Sequence, residues 1–513
     1  MQINLPEIVF ASADKAESQR ISRWVRSGVL RKLVPRVYTS NSKDSDEAIV
    51  TRNLYLILSR LFPGAVLSHR TALEGGPTET GDIFLTYKYS RKVILPGFSV
   101  HLLKGPGPAE GDMPFLQGFF MSSRARAFLE NLQISRSRSS MAKILSRADI
   151  EERLDRICQI QGADALNELR DEARPTAPSL HMDEQFRKLN NIISAILRTR
   201  PARELSSPQA RATSLGVPYD PQRLETFNSL FACLTQSQLP MRKETGLSEE
   251  EIHLAAFFEA YFSNHIEGTE FEIDQARAIV FQNKIPQGRP EDAHDIMGTF
   301  RIVANQQEMH RVPESFDDFI SLITSHHHAV MEARPDKLPG GFKQEPNRAG
   351  ETHFVAPTLV QGTLLQGFDM YHAVEPGLAR AIFMMFMVAE VHPFVDGNGR
   401  IARIMMNAEL IHADLCRIIV PIVFRDDYLL ALRALSRSNN PEPLIKVMDF
   451  AQLFTHELQF PSYNTVTKTL TVCNAFKEPD EARLKLPSSL GKGGKSGLNS
   501  YGKMLFEISG TQY

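Results

Sequence analysis

A chain of 513 residues and 57.7 kDa is long enough for roughly three domains at about 100–200 residues each. With 42% hydrophobic residues, 23% charged residues and a net charge of −2, it has the composition of an ordinary globular protein, which excludes wholesale disorder. The longest apolar run is the nine residues Ala381–Ala389, the four cysteines form no CxxC pair, and MQINLPEIVF lacks a basic or long apolar leader, so a membrane span, a disulfide scaffold and a zinc ribbon are excluded and a reducing cytoplasm is expected.

The charge is uneven along the chain. Residues 1–150 hold 21 basic against 13 acidic residues, net +8, and the remainder is net −10. Within 15–36 the basic residues Lys15, Arg20, Arg23, Arg26, Arg31, Lys32 and Arg36 face one acidic residue, Glu17. Such a block suits a polyanion partner; a solvated basic face is the alternative. Residues 13–27 read as a helix, with Ile21, Trp24 and Val25 at i, i+3, i+4. Gly28 ends it, and VLRKLVPRVYTS reads as strands, with Pro35 unsuited to a central one. A second helix is predicted over about 45–61, with Leu54, Leu56, Ile57 and Leu61 inward. From Asp82 to about Phe120 short β-like runs alternate with Gly and Pro. Helical composition returns over 124–173. ARPTAPS at 173–179 reads as a linker, helix resumes at about 183–199, and 201–221 is a second loose stretch with four prolines. Residues 246–460 are predominantly helical. The polar tail after 461, with its GKGGKSG run, is expected to be at most partly ordered.

The chemistry concentrates in residues 392–403, His-Pro-Phe-Val-Asp-Gly-Asn-Gly-Arg-Ile-Ala-Arg, between two apolar helical stretches. Gly397, Asn398 and Gly399 at a helix start let successive N–H groups converge on one anion. Arg400 and Arg403, three apart, project from one face of the first turn and suit a polyphosphate. Asp396 is a hard oxygen ligand fit for Mg²⁺ between phosphates. His392, with an ordinary pKa near about 6.5, suits a general base. Base, metal ligand, anion cradle and charge clamp together describe a phosphate-transfer site. The triplet His326-His327-His328 does not: neighbours on a helix point about 100° apart, so local packing is expected.

HPFVDGNGRIAR resembles the signature of the Fic (filamentation induced by cAMP) family, His-Pro-Phe-x-Asp/Glu-Gly-Asn-Gly-Arg-x-x-Arg. The resemblance implies a protein adenylyltransferase that moves AMP from ATP, with Mg²⁺, to a Ser, Thr or Tyr hydroxyl of a target protein, the chain itself being one candidate. His392 would take the hydroxyl proton, Asp396 would hold Mg²⁺, and Gly397, Asn398, Gly399, Arg400 and Arg403 would bind the phosphates. Ser263-Asn264-His265-Ile266-Glu267-Gly268 is similar to the family's inhibitory helix, Ser/Thr-x-x-x-Glu-Gly/Asn. It implies that Glu267, framed by Ser263 and Gly268, pairs with Arg403 and blocks the γ-phosphate position. Removal of AMP from a modified target, and use of another nucleotide, stay open. Residues 341–358 resemble the family's β-hairpin flap, with Thr352, His353, Phe354 and Val355 facing the nucleotide; a purely structural loop is the alternative. Tyr428 lies where the family often places an aromatic near the adenine.

The N-terminal half resembles, more loosely, the winged helix of abortive-infection-type antitoxin regulators. That implies duplex DNA contacted by Arg20, Arg23 and Arg26 on a helix and by Arg31, Lys32 and Arg36 on the wing. A protein-recognition module, or a DNA-binding regulator whose Fic domain senses a nucleotide, is the competing reading. The expected class is mainly α: an all-helical Fic domain with a small β-hairpin flap, preceded by an α+β winged-helix-like region. The expected parts are 1–75 winged-helix-like, 76–175 a β-rich then helical lobe, 176–245 a helical extension, 246–460 the Fic domain and 461–513 a tail. No membrane partner is expected, and oligomerisation is left open.

Overall fold

The computed structural model describes residues 5–116, 118–134, 142–244 and 246–491. The chain divides into two compact units at Gly216/Val217. The boundary falls inside the second proline-rich stretch and not in ARPTAPS. Those residues instead end a helix, Ala163–Ser179, that contains Pro175 and Pro178. Two missing N–H donors weaken a helix, but Leu166, Leu169, Ala173 and Ala177 recur at helical spacing and are all buried, and that packing outweighs the loss.

The first unit is α+β. Its elements run β1 Ile8–Phe10, α1 Lys15–Arg26, β2 Arg31–Val34, β3 Val37–Thr39, α2 Asp46–Arg52, α3 Leu54–Leu61, β4 Val66–Leu67, α4 His69–Glu74, β5 Asp82–Tyr87, β6 Arg91–Leu95, β7 Phe98–Lys104, β8 Met113–Leu116, β9 Phe119–Met121, α5 Arg124–Asn131, α6 Arg147–Gln161, α7 Ala163–Ser179, α8 Asp183–Ile196 and α9 Pro208–Leu215. One sheet is ordered β1-β3-β2, the other β6-β7-β5-β4-β9-β8. Pro35 sits in the β2–β3 turn, where its missing donor is harmless and Arg36 takes a left-handed φ of 74°. The single helix expected over 45–61 is two helices. The Asn53 amide donates to Glu7 at 2.8 Å and back to the Ile49 carbonyl at 2.9 Å, which interrupts the run. The interruption also leaves Leu56 41% exposed, while Leu54, Ile57 and Leu58 face the core.

The second unit is helical: α10 Pro221–Gln236, α11 Glu249–Ile266, α12 Ile273–Gln282, α13 Pro290–Val303, α14 Gln306–Met309, α15 Phe316–Met331, the hairpin β10 Arg348–Ala349 and β11 Thr352–His353, α16 Val360–Ala373, α17 Leu378–Val391, α18 Asn398–His412, α19 Arg425–Ser438, α20 Glu442–His456 and α21 Tyr463–Val472. α17 is apolar on nearly every face and is accordingly buried from Ala381 to Val388, which makes it the centre of the core. α18 runs back beside it, buried from Arg400 to Ile411. The expected tail begins later than 461. Val466 and Leu470 of α21, with Cys473 and Ala475, bury against Phe257, Phe258 and Phe262 of α11, and Tyr463 stacks on Phe258. The GKGGKSG run starts at Gly491, and the rest of it lies outside the described residues. Among the described residues no helix is long and apolar enough to cross a membrane.

Candidate active site

The turn between α17 and α18 carries the motif. α17 ends because His392 adopts φ 53° and Pro393 follows, so the backbone cannot continue as a helix. Phe394 then drives into the core, fully buried, with its ring stacked on His327 at 3.8 Å. The Asn398 side chain closes the turn. Its Oδ1 accepts from the Phe394 N–H at 2.8 Å, and its Nδ2 donates to the Phe394 carbonyl at 3.0 Å. Gly397, at φ 75°, supplies the left-handed residue that starts α18. The N–H groups of the first helical turn have no intrahelical partners and point, with the helix dipole, toward one spot. The Glu267 carboxylate lies against this turn, so close over Gly399 that a side chain there would collide with it.

Glu267 caps the end of α11. Arg403, on the first turns of α18 and only 4% exposed, gives its guanidinium to α11. Nε donates to Ser263 Oγ at 3.0 Å, and Nη2 donates to the Ser263 carbonyl at 2.8 Å and to Glu267 Oε1 at 2.7 Å. Gly268, at φ 88°, lets the chain leave the helix directly after the glutamate. Of the three residues singled out with the expected inhibitory helix, Ser263 and Glu267 contact Arg403, and Gly268 makes the turn that follows them. Tyr428 is 1% exposed, with its ring 5.9 Å below the Arg403 guanidinium and its hydroxyl near Met385 Sδ, so it backs the arginine.

Arg400 is held differently. Its Nη1 donates to Asp295 Oδ2 at 2.7 Å and to Asn264 Oδ1 at 3.3 Å, and Nη2 lies 3.7 Å from Asp396. Its Nε is buried without a partner among the described residues. Asp295, fully buried on α13, also receives Arg334 Nε at 3.0 Å. One carboxylate thus carries two guanidiniums. Asp295→Ala is expected to lower the unfolding free energy by about 3–5 kcal/mol, as when a buried ion pair loses one member. Urea denaturation reads this, and a loss below about 1 kcal/mol, the worth of an exposed pair, would mean that both arginines find other anions.

His392 stacks face to face on Phe354 at 3.7 Å. Its Nδ1 lies 3.2 Å from the Ala389 carbonyl, which can only accept, so Nδ1 carries the proton and Nε2 keeps its lone pair. Its pKa departs from the ordinary value expected for it: burial chiefly, and the nearby Lys343 ammonium in the same direction, push it down to about 4. Asp396 is 43% exposed at its side chain, with Oδ1 accepting from the Gly397 N–H at 2.6 Å. Its backbone is fixed by His327, whose Nδ1 accepts from Gly340 N–H at 2.9 Å and whose Nε2 donates to the Asp396 carbonyl at 3.1 Å. Burial pushes His327 down to about 4 as well, so it serves as a neutral brace. Its neighbours go elsewhere: His326 pairs with Glu308 at 2.9 Å and His328 is exposed. No cluster of three or more His, Cys, Asp or Glu suited to a metal occurs among the described residues.

The flap region forms the β10–β11 hairpin, pairing Arg348 with His353 and Ala349 with Thr352. Thr352 Oγ1 accepts from Arg437 Nε and Nη2 at 3.0 and 2.9 Å. The His353 carbonyl accepts from Arg223, which also pairs with the buried Glu390 of α17. Phe354 reaches His392, whereas Val355 is fully buried in the core. Sequence reasoning misses Asp295, Arg223 and Lys343 because each is one ordinary charged residue with no local pattern, and it marks His327 only as part of a triplet expected to pack locally.

In the first unit, Arg20, Arg23 and Arg26 are exposed on α1, and Lys32 and Arg36 are exposed on the β2–β3 hairpin. Arg31 leaves this set. It pairs with Asp46 and donates to the carbonyls of Asn41 and Asp44 at 2.9 and 2.7 Å.

The Fic/DOC family model matches residues 317–410. Protein adenylyltransferase fic-1 of Caenorhabditis briggsae is 26% identical over 188 residues, 34% of this chain and 36% of that protein. Protein adenylyltransferase Fic of Drosophila sechellia is 25% identical over 236 residues, 44% of this chain and 46% of that protein. The chain thus spans less than half the length of these relatives. A solved structure of Fic-1 from C. elegans aligns over 60% of this chain and 86% of its own, at 18% identity and a TM-score of 0.33. The matched segment contains the whole of HPFVDGNGRIAR, and the chain therefore carries a Fic/DOC family domain.

Proposed function

We propose that this chain is a protein adenylyltransferase held in check by its own α11. The observation that carries the reading is the Glu267 carboxylate lying on the first turn of α18 and taking the Arg403 guanidinium, where an anion cradle and a charge clamp would otherwise meet a phosphate. ATP would lie with its phosphates against Gly397, Asn398 and Gly399 and its outer charge on Arg400 and Arg403. A target hydroxyl, Ser, Thr or Tyr, would approach past the flap. Its oxygen attacks the α-phosphorus while its proton passes to His392 Nε2. The new P–O bond forms, the bond to the bridging oxygen breaks, and pyrophosphate leaves. Nδ1–H on the Ala389 carbonyl keeps the ring in the tautomer this requires.

A lone half-exposed carboxylate beside a phosphate cradle suits Mg²⁺ brought in by the nucleotide, since that ion binds through one or two carboxylates plus phosphates. Asp396 would hold it, and the ion would supply charge neutralisation on the phosphates. The test is label transferred to protein from α-³²P-ATP. Label from γ-³²P-ATP instead would replace AMP transfer by phosphate transfer.

A second reading concerns the first unit. The exposed Arg20, Arg23, Arg26, Lys32 and Arg36 favour a duplex-DNA partner. Changing Arg20, Arg23 and Arg26 to Gln is then expected to reduce the slope of log affinity against log salt by about 2–3, the loss of three phosphate contacts. Duplex binding with an unchanged slope would sink this reading.

A further inference from the structure

Lys343 stands out among the buried cations. It is 3% exposed, yet no carboxylate pairs with it among the described residues. A buried ammonium without a counter-ion is costly, and such groups concentrate at functional sites. What Lys343 does hold is backbone. Its own N–H donates to the Pro393 carbonyl at 2.9 Å, and its Nζ reaches the Val391 carbonyl at 3.4 Å. These are the two residues flanking His392. Nζ also donates to Asn347 Oδ1 at 2.6 Å, and Asn347 Nδ2 in turn donates to the Phe394 carbonyl at 2.9 Å. The ammonium further lies 5.9 Å over the Phe354 ring, the ring that stacks on His392. The base of the flap is thus stitched to residues 391, 393 and 394. Between those stitches His392 holds a left-handed backbone that a residue with a Cβ adopts only when its surroundings impose it.

Resting on the adenylyltransferase reading, we propose that Lys343 is a positioning residue for His392, clamping the carbonyls on either side of it so that Nε2 faces the incoming hydroxyl. The same placement acts on the imidazole electrostatically. The charged groups facing the ring are Lys343 from the flap base, Glu267 from the end of α11 and Asp396 from the motif turn; the first opposes protonation and the other two favour it. Burial lowers Lys343 itself to about 8, so it remains largely cationic at neutral pH.

The experiment follows the titration of His392 by NMR of ¹³C-labelled histidine, assigned with His392→Ala, in full-length protein bearing Lys, Met, Gln or Arg at 343. Removing the cation is expected to raise the pH at which His392 titrates in Lys343→Met and Lys343→Gln, while Lys343→Arg stays near the parent. In the Glu267→Gly background, Lys343→Met is expected to lower kcat for AMP transfer about 10–100-fold with the ATP KM little changed, the size of loss that a small misplacement of a catalytic group produces. Lys343→Arg is expected to restore part of it. An unchanged His392 titration in both neutral variants would overturn the proposal. If Lys343→Met does not fold, Lys343→Gln, which keeps a donor to both oxygens, decides the question. The titration needs no AMP transfer. An inactive Glu267→Gly parent would therefore count against the adenylyltransferase reading, while the role of Lys343 would still be decided by the NMR result.

Discussion

Glycine in place of Glu267 is expected to raise label transfer from α-³²P-ATP by roughly 10–100-fold. A hydrogen bond to a charged group contributes about 1.5–3 kcal/mol. If the Glu267–Arg403 contact supplies that preference, the arrangement open to a γ-phosphate is held to about 1–10% of molecules. The carboxylate is 24% exposed at its side chain, so screening places the effect in the lower half of the energy range. The substitution disturbs little else. At the end of α11 the residue 267 N–H bonds to the carbonyls of Asn264 and His265, contacts any residue can make. Arg403 keeps Ser263, and α11 keeps its packing against α21. Measuring ATP affinity alongside label separates the outcomes. A Glu267→Gly protein that binds ATP and labels nothing would remove the brake from the account and place the block elsewhere.

His392→Ala in that released background is expected to cut transfer by about 10²–10⁴-fold, the usual contribution of a positioned general base. ATP binding should survive, because the phosphate-facing groups lie on α18 and not on His392. The pH profile carries a second expectation. A base works in its unprotonated form, so a pKa pushed down from the ordinary value to about 4 moves the acid limb down with it. The kcat/KM of Glu267→Gly should therefore be insensitive to His392 through the neutral range and fall only as pH drops toward that value. An acid limb near the ordinary imidazole value would show that the ring is more solvated in the working enzyme than its stacking on Phe354 implies.

The motif is legible in the sequence because its chemistry is local. Base, carboxylate, glycine nest and both arginines fall within residues 392–403, and the turn that gathers them is written in the same stretch by Pro393, Gly397 and Asn398. The Glu267–Arg403 contact is legible only through resemblance, since the two residues lie 136 positions apart. Asp295 and Arg223 are not legible at all. Their partners Arg400 and Glu390 lie 105 and 167 residues away, and nothing in PEDAHD or PQRLET marks an inward-facing charge. The fold is hidden where packing overrides local preference. The prolines of ARPTAPS argue for a linker until the buried stripe through Ala173 and Ala177 is seen. Residues after 461 look like a tail until Val466 and Leu470 are seen against the phenylalanines of α11. Electrostatics behaves likewise: histidine at 392 suggests a titration near neutrality, and its burial, with Lys343 beside it, moves that value down.

The segment that identifies the family, residues 317–410, is shorter than the structure that makes the site tolerable. Arg400 and Arg403 enter the interior from α18, but Asp295, Asn264, Ser263 and Glu267 come from α11, its cap and α13, all upstream of that segment. A graft of the motif and its two flanking helices into a foreign scaffold would bury two guanidiniums with only the Asp396 contact, at 3.7 Å, to receive them, at several kcal/mol each. The smallest transplantable form of the motif therefore includes α11, and a scaffold lacking that helix would have to provide some other acceptor for the same pair of charges.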